Sequence, residues 1–416
     1  MMNHKKQINR LITLPLILTA LLFSVSACSN PSAVNTNKDL TEYKEGQASV
    51  DASIANMEKP TFATKAVTTF NEPWAMTALP TVNSKAPKLL VTQKTGELLI
   101  VNTATGAKTV VAGVPKVAYG GQGGLGDIIL APDFATSNNI YLSYVEAGKG
   151  ADSNKFGAKV IKATLTGSDT DRPSLQAMTP IWEQFPKVKG QGHYSHRLLF
   201  SPDGQYLYIS SGERQEKTPA QDMSVNLGKI IRLNPDGSVP ADNPFMNTNN
   251  DIADQFWTTG HRNVLGMAFD EKGRLWAHEM GPRGGDEFNL IEKGKNYGWP
   301  IVSNGRNYTG TDIPDHDTRP DFAAPEITWT PVISPSSMSI YQAGKHNDFP
   351  AWQGNALISG LSSKALIVVS FEKNNGAAER YRYDVGERIR GVLNVDGQVW
   401  LLEDGAKGRL LRLLPN

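Results

Sequence analysis

The chain has 416 residues, 39% hydrophobic and 20% charged, long and apolar enough to fold around a sizeable core. Its 42 basic and 41 acidic side chains nearly cancel, so no nucleic-acid partner is implied, and its single cysteine excludes an internal disulfide. The 38 glycines and 25 prolines follow no short period, which favours a turn-rich β architecture over a helical one.

In chain order, the first segment is MMNHKKQINRLITLPLILTALLFSVSACSN. It combines a basic start (Lys5, Lys6, Arg10), an apolar run over residues 11–25 and small residues before Cys28, the pattern of an export signal. A membrane-spanning anchor is the weaker reading, because the apolar run falls short of the roughly 20 residues a helix needs to cross a bilayer, and Pro15 interrupts it. Val25-Ser26-Ala27-Cys28 resembles the lipobox of bacterial lipoproteins, which implies cleavage after a signal peptide at 1–27 and acylation of Cys28. Such a chain is tied to the membrane through its N-terminal lipid, and Ser29 after the cysteine points to the outer membrane, facing the periplasm. Loss of Lys5, Lys6 and Arg10 leaves 39 basic side chains against 41 acidic. Residues 28–60, polar and short of large apolar side chains, read as a lipidated tether ahead of a domain at 61–416.

From Lys88 onward one unit recurs, a turn with Gly or Asp-Gly followed by a hydrophobic strand. It appears as TGELLIVN (95–102), NNIYLSYVE (138–146), DGQYLYISSGE (203–213), KGRLWAHEMG (272–281), GNALISGL (354–361) and DGQVWLLEDG (396–405). No such hairpin buries both of its own faces, so the units must pack radially or stack, and an all-β, six-bladed β-propeller satisfies that need; the alternative is a β-sandwich with long loops. No long amphipathic period follows Pro60, so helices should be few and short.

Four polar clusters flank these strands: residues 120–125 (GGQGGL), His193 with Arg197, residues 260–263 (GHRN) and residues 281–287 (GPRGGDE). A propeller gathers such loops at one end of its channel. Taken alone, each cluster has a bland reading as well: a histidine packed around a turn, Arg388 and Arg390 on a solvated strand face, Asp286 and Glu287 solvating a loop, Trp299 and Trp329 in the core rather than stacked on sugars.

GHRNVLGMAF (260–269) and GPRGGDEFNLIEKGKNYGWP (281–300) resemble the glucose/sorbosone dehydrogenase family of soluble quinoproteins, and the likeness runs from about Val67 to Leu414. The resemblance implies a propeller that holds pyrroloquinoline quinone (PQQ) and calcium (Ca2+). Its activity would be oxidation of an aldose at the anomeric carbon to a lactone, with the electrons passed to an external acceptor. It implies His193 as general base, Arg262 as both catalytic and cofactor-binding, and Asn263, Lys364, Arg388 and Arg390 as further cofactor contacts. Gln122 falls at a substrate-side amide, main-chain carbonyls of Gly281 and Pro282 at the cofactor's calcium, and Glu287 with the Tyr297 carbonyl at a second, structural calcium. His196 falls where the family commonly has glycine and receives no role. Gly192 replaces an aspartate found before the histidine in the glucose dehydrogenase branch, which leaves open what holds the imidazole. Two other readings keep the propeller: a calcium-dependent lactonase, which does not need four cations around the channel, and a non-enzymatic carbohydrate-binding lipoprotein, which needs neither His193 nor the Gly281-Pro282 loop. The aldose preferred, the electron acceptor and the existence of a homodimer are open at this level.

Overall fold

The structure, a computed structural model, describes residues 58–80, 86–246 and 249–416; the expected signal peptide, Cys28 and all but the end of the tether lie outside the described residues. Among the described residues the chain forms twenty-four strands, one four-residue helix (α1, Phe134–Ser137) and five short 3-10 turns. The strands make six antiparallel sheets of four.

The first blade takes β2 (Pro73–Leu79), β3 (Lys88–Gln93), β4 (Glu97–Asn102) and β5 (Lys108–Val110), and the second β6 (Leu125–Leu130), β7 (Asn139–Ala147), β8 (Phe156–Thr166) and β9 (Ser174–Glu183). The third has β10 (Ser195–Phe200), β11 (Leu207–Ser211), β12 (Lys229–Leu233) and β13 (Phe256–Thr259). The fourth has β14 (Val264–Phe269), β15 (Leu275–Glu279), β16 (Asp286–Ile291) and β17 (Ile327–Trp329), and the fifth β18 (Pro335–Ile340), β19 (Ala356–Gly360), β20 (Ala365–Phe371) and β21 (Ala377–Asp384). The sixth is completed from both ends of the fold: β22 (Ile389–Val395), β23 (Gln398–Glu403) and β24 (Gly408–Pro415) are joined by β1 (Phe62–Phe70), which pairs with β24 from Phe62–Pro415 to Phe70–Gly408. The inner strands β2, β6, β10, β14, β18 and β22 each lie against the next, and β22 lies against β2, so the ring closes. This is a six-bladed β-propeller.

The core is divided rather than central. Each of six apolar layers lies between adjacent blades, as where Leu90 and Ile100 of the first blade meet Ile128 and Ile140 of the second, or Trp276 and Phe288 of the fourth meet Ile358 and Ile367 of the fifth. A middle strand therefore has a layer on each face, and β11, β15, β19 and β23 are buried along their whole length.

Candidate active site

Three non-glycine residues of one short segment have left-handed backbone: His193 (φ 46°), Ser195 (φ 57°) and His196 (φ 52°). The pairing of β10 with β11 also slips between Ser195 and Leu198. Such conformations are costly for side chains with a Cβ, and here they send the two histidines to different partners. His196 stacks on Trp74 with ring centres 4.9 Å apart, and its Nδ1 meets Ser143 Oγ at 2.8 Å. Burial, helped by the charges of Arg197 and Arg214, pulls its pKa down to about 3, so it is a neutral packed ring.

His193 Nδ1 instead makes a short hydrogen bond to Glu213 Oε1, just past the end of β11. Both side chains are buried. The same carboxylate accepts backbone N–H bonds from Gln215 at 3.0 Å and Lys217 at 2.5 Å. Burial raises the Glu213 carboxyl, but the His193 bond, that of Lys217 and the Arg262 charge outweigh it and hold the group below the usual carboxylate range. Burial pulls His193 below its ordinary value, with the Glu213 bond opposing and Arg262 reinforcing the shift. An ionised Glu213 accepting from Nδ1–H leaves a neutral imidazole whose Nε2 lone pair is free. The orienting carboxylate thus comes from Glu213. At Gly192 a Cβ would meet Gln215 Oε1 at 2.3 Å, so a side chain there would have to displace that glutamine.

Gln122 sits at the same point. Its Oε1 accepts the His193 backbone N–H at 2.8 Å, which leaves the amide nitrogen as its remaining donor group. Arg262 and Asn263 approach from the loop before β14. Arg262 donates to Met280 O at 2.9 Å and Tyr308 OH at 3.1 Å, and Asn263 Oδ1 accepts from Ser195 Oγ at 3.0 Å. Arg262 Nε and Asn263 Nδ2 are buried and have no acceptor. Two adjacent buried donors without partners are expensive unless a ligand accepts from them.

A cavity of about 240 Å³ opens beside them, lined in part by Gln122, Ser195, Met280, Arg388 and Arg390. Arg388 and Arg390 converge on one carboxylate: Nε of each meets Asp404, at 3.0 and 2.9 Å, and Arg390 Nη1 reaches Ser336 Oγ at 3.2 Å. Burial raises Asp404, but the two arginines outweigh it and keep it ionised below its usual range. Two guanidiniums against one carboxylate leave a net positive wall suited to an anion. Lys364 stands apart from that wall, half-exposed, with Nζ on Gly386 O at 3.2 Å.

The loop after β15 is cinched by Asp286, which accepts from Gly281 N at 2.8 Å and Ser334 N at 2.7 Å. Burial pushes its carboxyl up to about 6. A Cβ on Gly281 would lie 2.2 Å from Gly285 O, so only glycine permits this turn. No described residue donates a hydrogen bond to the carbonyl of Gly281 or Pro282, which leaves both oxygens available to a cation. Glu287 and Tyr297 are both buried, and among the described residues no hydrogen bond joins them. Glu287 accepts from Asn289 Nδ2 at 3.2 Å, while the Tyr297 carbonyl lies 3.2 Å from His316 Nε2. Burial and then the neighbouring Glu279 push the Glu287 carboxyl well above its ordinary range.

Sequence reasoning missed Glu213, Glu279 and Asp404. Glu279 accepts from His261 Nδ1 at 2.9 Å and from the backbone N–H of Arg262 at 2.6 Å and Asn263 at 3.3 Å, so it fixes the segment that presents both orphaned donors. The available signal was position: each of the three stands at or just beyond the end of a repeat strand, where a propeller presents its channel mouth.

Comparison with known proteins adds an independent line. The glucose/sorbosone dehydrogenase family model matches residues 70–412. The chain is 37% identical to aldose sugar dehydrogenase YliI of Escherichia coli (strain K12) over 352 residues, covering 83% of this chain and 90% of that protein. It is 33% identical to quinoprotein glucose dehydrogenase B of Acinetobacter calcoaceticus over 242 residues, 53% of this chain and 49% of that protein. Among solved structures, the apo-form of the soluble aldose sugar dehydrogenase from Escherichia coli superposes with a TM-score of 0.76 at 35% identity, covering 86% of this chain and all of that one. The PQQ-bound aldose sugar dehydrogenase from Streptomyces coelicolor gives 0.68 at 28% identity, again over 86% of this chain and all of that one.

Proposed function

Because the chain belongs to the glucose/sorbosone dehydrogenase family, we propose that it binds pyrroloquinoline quinone and calcium and oxidises an aldose at its anomeric carbon to the lactone, with His193 as base. The observation that carries this reading is the buried His193–Glu213 pair set beside two donors, Arg262 Nε and Asn263 Nδ2, that lack acceptors. The residues present fit the cofactor. Its carboxylates match the positive wall of Arg388 and Arg390, and its quinone oxygens match the free donors of Arg262 and Asn263; Lys364, outside the cavity lining, would have to turn from Gly386 to join them. The free carbonyls of Gly281 and Pro282 suit a hard cation with oxygen ligands, as calcium is. When bound, the quinone supplies the two-electron oxidant that takes the anomeric C–H as hydride and later yields its electrons to an external acceptor.

The chain's own part is proton management and placement. Glu213 holds Nδ1–H, so His193 Nε2 is the unprotonated nitrogen and accepts the proton of the anomeric hydroxyl as the C–O double bond of the lactone forms. Gln122, its oxygen committed to the His193 backbone, offers N–H donors to a sugar hydroxyl. The test is reconstitution of the purified protein with pyrroloquinoline quinone and calcium, followed by dye reduction with a panel of aldoses. Oxidation that requires the quinone supports the reading; no quinone-dependent oxidation of any aldose overturns it.

A further inference from the structure

Tyr308 is 70% exposed, yet its hydroxyl accepts from Arg262 Nη2 at 3.1 Å and its ring centre lies 5.8 Å from the Arg262 guanidinium carbon. It stands at the tip of a tight turn closed by Asn307 N to Thr311 O at 2.9 Å and Gly310 N to Asn307 O at 2.8 Å. The turn is anchored at two places. Arg283 and Arg306 exchange backbone bonds of 2.9 and 3.0 Å, which tie its base to the loop carrying Gly281 and Pro282. Lys217 Nζ meets Asn307 Oδ1 at 2.9 Å, and the Lys217 backbone N–H is itself bound by Glu213. The ring is thus held between the Gly281-Pro282 loop and the His193–Glu213 pair, with its one polar atom committed to Arg262 and its apolar surface bare.

A single exposed ring is ordinary on a folded surface, so what distinguishes this one is its bond to Arg262. Among the described residues six large hydrophobics are exposed; Val110 and Met178 belong to outer strands, Tyr119 meets Glu72 and Lys94 at the cavity's edge, and Tyr308 bonds Arg262. The two candidate ligands differ in what they ask of a ring. The cofactor is an anion, and the cations that suit it lie on the wall of Arg388 and Arg390. A pyranose presents a face of C–H bonds, which packs on an uncharged aromatic ring. We propose that Tyr308 is a specificity-determining residue: the substrate's pyranose ring stacks on its exposed face. This rests on the function proposed above.

Two variants of the holoenzyme separate ring from hydroxyl. Tyr308→Ala removes both, and KM for an aldohexose should rise about 3- to 10-fold with kcat changed much less, while the dissociation constant for pyrroloquinoline quinone, measured by direct titration, stays as in the parent. Tyr308→Phe keeps the ring and should restore the sugar KM. Met178→Ala, another exposed apolar side chain, should change nothing. An unchanged sugar KM in Tyr308→Ala, a Tyr308→Phe enzyme as impaired as the alanine variant, weakened quinone binding, or a shift confined to the KM of the dye acceptor would each overturn the assignment. A parent enzyme with no quinone-dependent aldose oxidation would instead refute the function on which it rests.

Discussion

Glu213 binds His193 through Nδ1, and the two side chains are joined across 20 residues by the hairpin of β10 and β11. The carboxylate fixes both the orientation and the tautomer of the ring, so it should matter nearly as much as the ring does. His193→Ala is expected to retain the cofactor and lose turnover by about 10²- to 10⁴-fold. Glu213→Gln, whose amide can present a donor to Nδ1 and so reverse the tautomer, should lose on the order of 10²-fold or more in kcat. Near-normal turnover in either variant, with cofactor saturation shown by titration, would reject the base assignment.

The pH profile carries the same logic. The working form of His193 is neutral, and burial favours that form, so the acid limb of kcat/KM should lie below the ordinary histidine value of about 6.5. Glu213 opposes the shift by stabilising the imidazolium. Its replacement by glutamine should therefore move the limb further toward acid while lowering the plateau. A limb that moves to higher pH in the variant would contradict this.

The repeated strand was legible because its burial is extreme. Five of the six units are second strands of their blades, β7, β11, β15, β19 and β23, each covered by apolar layers on both sides and preceded by a turn. TGELLIVN is instead the third strand of the first blade, because the second, KLLVTQ, has no glycine turn ahead of it. Outer strands such as β9 and β21 are largely exposed or half-buried and carry little pattern, and the pairing of β1 with β24 joins the two ends of the fold, beyond any local signal. The site divides in the same way. His193, Arg262 and the Gly281-Pro282 loop stand in quotable motifs. Glu213 closed the unit DGQYLYISSGE and read as the end of a strand, since only the folded hairpin brings it to the imidazole. Asp404 was hidden likewise, as the partner of Arg388 and Arg390 across the turn from β23.

His278, in β15, is fully buried, and burial holds its pKa at about 3 against the opposing pull of backbone contacts at Ser337 and His278 itself. Between about pH 3 and 6.5 the unfolded chain binds a proton there that the folded chain does not, so its contribution to stability rises with pH by up to about 1.4 kcal/mol per unit and is lost as pH falls. His278→Leu removes that proton. In urea unfolding, the stability of the variant relative to the parent should improve by about 2 kcal/mol between pH 7 and pH 5. An unchanged difference would show that the folded ring does take up a proton.

We propose that Cys28 is the lipid attachment point, as its lipobox-like setting suggests. Cys28→Ser should block lipidation and the cleavage coupled to it. A chain beginning after Cys28 behind an ordinary export signal should instead be water-soluble and fully active, because among the described residues the first strand begins at Phe62. Mass spectrometry of the native N-terminal peptide decides the matter: an unmodified Cys28, or a chain still starting at Met1, refutes the lipoprotein reading.

A second calcium at Glu287 and the Tyr297 carbonyl, which we propose, predicts a change in stability rather than turnover. Glu287 and Glu279 are paired directly across β15 and β16, both carboxylates are buried, and Glu287 has a single hydrogen bond, from Asn289, whose Oδ1 is itself buried without a donor. Burial and the neighbouring Glu279 disfavour ionisation of Glu287, and a cation bound only by the folded chain would stabilise its ionised form. Calcium at 100 times its dissociation constant would add about 2.7 kcal/mol to folding, visible as a rise in Tm that a chelator reverses. Magnesium should give less, since its small octahedral shell dehydrates reluctantly. Glu287→Gln removes the ionisable carboxyl, so without calcium the variant should be at least as stable as the parent, but most of the calcium-dependent rise should vanish. Equal calcium shifts in parent and variant would remove Glu287 from the ligand set, and a parent indifferent to both calcium and chelator would remove the structural site altogether.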